Sequence, residues 1–153
     1  MRWLERHSWW GLAFVAVVLV IFGVTDIISG AAADRAIPLG LTGMTIEELE
    51  AQSPAAYRMF DFFTRVNGWS LVLVGVLVST ILFIPFRRGE RWAWWTMWLL
   101  PAWAIGAAVF YVVAGVQADQ PPPPPLVSGP IVAVLTAAIL LFSAPRFFGR
   151  RSS

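Results

Sequence analysis

The chain contains no cysteine and no lysine, and its only histidine is His7. Without cysteine there is no disulfide, iron–sulfur cluster, thiolate zinc site or cysteine nucleophile. A lone histidine cannot assemble an imidazole metal centre, so His7 reads as an interfacial or solvated side chain. Charge is scarce as well, at 13% of residues. The sequence holds no H-E-x-x-H, no G-x-S-x-G and no glycine-rich phosphate loop. No catalytic residue, metal site or cofactor is expected from these residues.

What is abundant is apolar surface. Hydrophobic residues make up 58% of the 153 positions, with a mean hydropathy of +0.71, which is too apolar for a soluble globule of this size. A spanning helix needs about 20 predominantly apolar residues to cross a hydrocarbon core roughly 30 Å thick. Four runs meet that length, at residues 9–28, 67–86, 92–116 and 126–144. They predict an all-α membrane protein: one transmembrane domain over residues 1–153, folded as an up-down four-helix bundle, with an extracytoplasmic amphipathic helical insert at 29–66. Pro101, inside the third run, should kink its helix.

Arginine placement predicts the orientation, because basic residues accumulate on cytoplasmic flanks. Arg2, Arg6, Arg87, Arg88, Arg91, Arg146, Arg150 and Arg151 share one side only with four spans. The other side carries three arginines against seven carboxylates, a local charge of −4. Both termini are therefore expected in the cytoplasm of a multi-pass cell-membrane protein. Trp3, Trp9, Trp10, Trp92, Trp94 and Trp95 fall on the same side, as expected of interfacial indoles. Trp98 and Trp103 lie deeper in the third run, as packing or lipid contacts or as the wall of a pocket. Ala31-Ala32-Ala33 also resembles a signal-peptidase site, but the preceding apolar run is longer than the roughly 7–15 residues of a signal core.

The insert carries two helix-start signals. Thr45-Ile46-Glu47-Glu48 has the capping-box form, and Ser53-Pro54 places an N-cap before a proline at the first helical position. From Pro54 onward, Arg58, Asp61 and Arg65 form one polar stripe, while Tyr57, Met59, Phe60, Phe62, Phe63 and Val66 take much of the remaining surface. That pattern predicts an interfacial helix, either lying flat and turning into the second span at Asn67-Gly68 or capping the bundle. Gly68, Gly75 and Ser79 in the second span, and Ala102 and Gly106 in the third, are small residues suited to close helix contact. Pro121 to Pro125 predicts a stiff polyproline connector.

Asp26 is the chief candidate for chemistry, since an ionisable side chain in or near a span is costly unless paired. Near the outer headgroups, hydration or pairing with Arg35 or Arg65 would remove most of that cost. A shallow ligand or ion site of Asp26, Asn67, Gln117, Arg58, Asp61 and Arg65 follows from their common level. Arg87, Arg88 and Arg91 form a tight connection suited to lipid headgroups, with Gly89 permitting the turn.

The run Arg87-Arg88-Gly89-Glu90-Arg91-Trp92-Ala93-Trp94-Trp95, with Gly43-Met44-Thr45, resembles a loose group of uncharacterised small four-span bacterial integral membrane proteins. That resemblance implies the four-span layout and brings no function with it. The leading expectation is a non-enzymatic accessory or lipid-binding component whose partners are membrane lipids, another membrane protein or itself, and no nucleic acid. One alternative is a small proton-linked transporter using Asp26. The other is a lipid-modifying enzyme, which would require Asp26, Asp61 or Glu48 to converge on one cleft.

Overall fold

The computed structural model describes residues 9–116 and 120–149. Arg2, Trp3, Arg6, His7, Gln117, Asp119, Arg150 and Arg151, which entered the charge, aromatic and site readings above, lie outside the described residues. Those described are helical with short connections: α1 (Trp9–Ser29), a 3₁₀ turn (Gly30–Ala33), α2 (Ala36–Thr42), α3 (Ile46–Gln52), α4 (Pro54–Ile81), a π-helical turn (Leu82–Phe86), α5 (Arg91–Met97), α6 (Leu99–Ala114) and α7 (Pro124–Phe148). Four stretches are long and apolar enough to cross a membrane: Trp9–Ala33, Pro54–Phe86, Arg91–Ala114 and Pro124–Phe148. Most residues of each are left uncovered by the rest of the chain, as suits a multi-pass protein whose solvent is lipid.

Both helix starts in the insert form as their hydrogen bonds require. The Thr45 hydroxyl accepts from the Glu48 amide at 3.2 Å while the Glu48 carboxylate accepts from the Thr45 amide at 2.8 Å. Ser53 Oγ accepts from the Ala56 amide, and Pro54 opens α4 where no N–H is needed. α2 carries no such signal. It closes on Gly43, whose φ of 73° is the left-handed conformation that suits glycine.

Of the alternatives for the segment from Pro54, the flat helix with a turn into the second span at Asn67-Gly68 is not formed. α4 runs unbroken from Pro54 to Ile81, so the amphipathic segment and the second span are one rod rather than a flat helix joined to an upright one. The reason is Gly68 itself: a Cβ built there would stand 2.6 Å from the Gly23 carbonyl oxygen and 2.6 Å from Asp26 Cβ. Its missing side chain serves contact with α1 rather than a turn. Gly75 does the same one stretch further on, where a Cβ would meet Val20 at 2.6 Å and the Ala16 carbonyl at 2.9 Å. α1 and α4 therefore pack along their length.

α6 pairs with α7 in a similar way, through Gly129, whose Cβ would stand 2.6 Å from the Ala104 carbonyl. The Ala102 and Gly106 pair makes no close contact with another helix of the chain among the described residues, where a Cβ at Gly106 meets nothing within 4 Å. Pro101 breaks the third span at Trp98, between α5 and α6, because it offers Met97 no N–H. The polyproline connector is shorter than expected. Pro124 and Pro125 enter the first turn of α7, where proline costs no hydrogen bond, leaving Pro123 extended before them.

The core gathers towards the arginine-bearing end. Leu12, Leu82, Phe86, Met97 and Leu140 are fully or almost fully enclosed there, with Trp94 and Phe147 around them. The α1–α4 pair and the α6–α7 pair meet mainly through this cluster, α5 and the Leu82–Phe86 turn. At the opposite end a smaller apolar group, Ala31, Ile46 and Leu49 with Met44, Tyr57 and Phe60, seats α3 on α4 and the 3₁₀ turn. There α2 also reaches the second helix pair: a Cβ on Gly40 would lie 2.8 Å from the ring of buried Pro123.

Candidate functional site

Of the polar residues expected as one cluster, Gln117 lies outside the described residues, and the other five form two bonded constellations with Arg58 apart from both. α1 and α4 bring Asp26 and Asn67 together, and Asn67 Nδ2 donates to Asp26 Oδ2 at 3.2 Å. Asp26 is only 4% exposed, packed where Gly23 and Gly68 let the two backbones approach. The pairing expected with Arg35 or Arg65 is not formed. Arg35 instead meets Glu47 at 3.2 Å on the exposed insert, and Arg65 meets Asp61, one turn back on its own helix, at 2.9 Å.

That second constellation is a clamp. Arg65 Nε donates to Asp61 Oδ2, and Arg65 Nη1 donates to the carbonyls of Ile27 and Ile28, the last of which it meets at 3.3 Å. Asp61 Oδ1 accepts from the Ala31 amide at 2.9 Å. A helix C-terminus leaves four carbonyls without intrahelical donors, and a nearby guanidinium both bonds them and matches the negative end of the helix dipole. Asp61 and Arg65 thus fasten the end of α1 to α4. Arg58 is exposed and forms no ion pair among the described residues.

Two groups that the sequence reading passed over lie near Asp26. Asp34, just past the first span, stands within electrostatic range of it, and Tyr111 on α6 within range of both. Burial pushes the Asp34 carboxyl above its ordinary range, since the charged form loses solvent. The available signal was Tyr111, a hydroxyl within an apolar span. Asp26, Asp61 and Glu48 do not converge: they bond to Asn67, to Arg65 with Ala31, and to Thr45 respectively. Among the described residues no cluster of three or more metal-ligating side chains is found.

At the other end, the arginines lie in an aromatic collar. Arg87 stacks over Trp9 with 5.0 Å to the ring centroid, and Trp9 stacks on Trp10. Arg91 Nε donates to the Phe147 carbonyl at 3.2 Å with its guanidinium over Phe148, and Arg146 donates to the Arg87 carbonyl. Arg88 is exposed. Among the described residues none of these four guanidinium groups forms an ion pair. The neighbouring carboxylate, Glu90, accepts from Trp92 Nε1 at 2.6 Å instead. Gly89 supplies the tight turn with a φ of 76°. Trp94, expected as an interfacial indole, is instead buried in the core with its Nε1 donating to the Leu140 carbonyl; deeper in the third span, Trp98 Nε1 is buried without a partner among the described residues and Trp103 faces outward.

The chain matches no protein-family model, no curated protein and no solved structure.

Proposed function

We propose that this protein is a non-enzymatic, lipid-binding component of a cell membrane, an up-down four-helix bundle with both termini and the 87–91 connection in the cytoplasm and the insert outside. The observation that carries the reading is the collar: Arg87, Arg91 and Arg146 lie against Trp9, Phe148 and Phe147, exposed Arg88 lies beside them, and none of the four forms an ion pair among the described residues. Indoles favour the headgroup level, and each basic residue at the surface of an anionic leaflet contributes about 1 kcal/mol. Among the described residues Arg87, Arg91 and Arg146 meet only rings and single backbone carbonyls, so further N–H groups of each fork have no partner there and suit a lipid phosphate.

Native mass spectrometry of the protein extracted from its own membrane tests this directly, since retained lipids and partner subunits are read together. In nanodiscs mixing phosphatidylglycerol and phosphatidylcholine, the double variant Arg87→Gln, Arg88→Gln should lower the preference for the anionic lipid by about thirtyfold, the equivalent of about 2 kcal/mol. An unchanged preference would refute the collar as a lipid site.

A second reading, a small proton-linked transporter, is favoured by the near-complete enclosure of Asp26 between α1 and α4, away from any guanidinium partner among the described residues. It predicts that Asp26→Asn abolishes pH-linked flux in proteoliposomes while the protein stays folded. Flux at the wild-type level in that variant removes this reading.

A further inference from the structure

α4 and the turn that follows it occupy the 33 residues Pro54–Phe86, about 50 Å at a rise of ~1.5 Å per residue, against a hydrocarbon core roughly 30 Å thick. The contacts of α1 say where the excess falls. At the arginine-bearing end Trp9 packs edge-on against Phe83, with ring centroids 5.7 Å apart. At the other end Arg65 holds the carbonyls of Ile27 and Ile28. Phe83 follows Arg65 by 18 residues or about 27 Å, and α1 itself, at 21 residues, covers about 31 Å. One hydrocarbon thickness therefore ends close to Arg65, and α4 continues past it.

The face of that continuation is apolar. Met59, Phe62, Phe63 and Val66 are exposed, with Phe62 and Phe63 at 60% and 57%, and the adjacent Phe62 and Phe63 each stand three or four residues from Met59 and from Val66. The same line continues without rotation through Trp69, Leu73 and Leu77, the exposed face of the second span within the core. Asp61 and Arg65 lie on the other side of the helix, engaged with the 3₁₀ turn and the end of α1 respectively. Phe62 and Phe63 stand only about 3–5 Å beyond Arg65 along the axis, inside the headgroup layer that adds roughly 5–7 Å to each side of the core.

We infer that the Met59–Val66 face of α4 is an interaction surface for the phospholipid headgroup and upper acyl region on the insert side, which anchors the insert to the membrane it emerges from. Continuity with the lipid face of the span selects lipid as the occupant. The inference does not depend on the arginine collar or on which side of the membrane the insert occupies.

The natural absence of cysteine makes the test direct. Nitroxide labels are placed singly through Met59→Cys, Phe62→Cys, Phe63→Cys and Val66→Cys, with Glu47→Cys as an aqueous reference, in phosphatidylglycerol–phosphatidylethanolamine nanodiscs. Collision with oxygen relative to a water-soluble nickel chelate should be several-fold higher at 62, 63 and 66 than at 47, and lower at 59 than at 66. Ratios at 62 and 63 equal to that at 47 would overturn the inference. So would labels shielded from both reagents, which would mean that a protein surface, such as a second copy of the chain, covers this face. Four positions on one face keep the reading decisive if one variant fails to fold.

Discussion

Asp34 illustrates how one side chain sets a pH response. Its carboxyl is held above the usual range by burial, so the folded protein disfavours its charge relative to the unfolded chain. The stability associated with the proton is complete below the ordinary value of 3.8 and is lost as pH rises through the higher folded value. Asp34→Asn should therefore raise the thermal midpoint in detergent at pH 7, and the gain should vanish near pH 3.5. A gain of the same size at both pH values would mean that the carboxylate charge is not its cause. At this scale the sequence marks Asp26, because a carboxylate inside an apolar run is conspicuous. Its neighbours were harder to read. Arg65 could face Asp26 or Asp61 depending on the rotation of α4 against α1, and only packing fixes that rotation.

Helices that meet through glycine are sensitive to added volume only where a neighbour waits. Gly68 has the Gly23 carbonyl and Asp26 against it, whereas Gly106 faces open space. Gly68→Val should cost about 1–3 kcal/mol through overpacking, while Gly106→Val should cost a small fraction of that. Thermal unfolding of the two variants in the same detergent decides the matter; equal losses would mean that the α1–α4 contact is looser than described. The capping box at Thr45 was legible because its hydrogen bonds close within four residues. α2 was not, because it has no cap signal and gains its place by contact with Pro123. Asn67-Gly68 suggested a break for the same local reasons that usually mark one, and tertiary contact with α1 overrode them.

The positions of the four apolar helices follow from hydropathy alone, but their partnership does not. A leucine facing lipid and a leucine facing another helix are chemically alike, so composition cannot say that the first helix pairs with the second and the third with the fourth. The proposed orientation rests on arginine asymmetry and is open to a simple check. In intact cells a membrane-impermeant maleimide should modify Glu47→Cys and leave Arg88→Cys unmodified until the cells are opened. The reverse pattern would invert the topology.

The clamp at the end of α1 also has a place in time. Ile27 and Ile28 leave the ribosome well before Arg65, which follows 37 and 38 residues later. At roughly 5–20 residues per second of synthesis, these carbonyls wait about 2–8 s for the guanidinium that will hold them. During that interval the end of the first helix must find its hydrogen bonds in water, headgroups or the insertion machinery. The end of the first helix is thus fastened by this clamp only when α4 arrives.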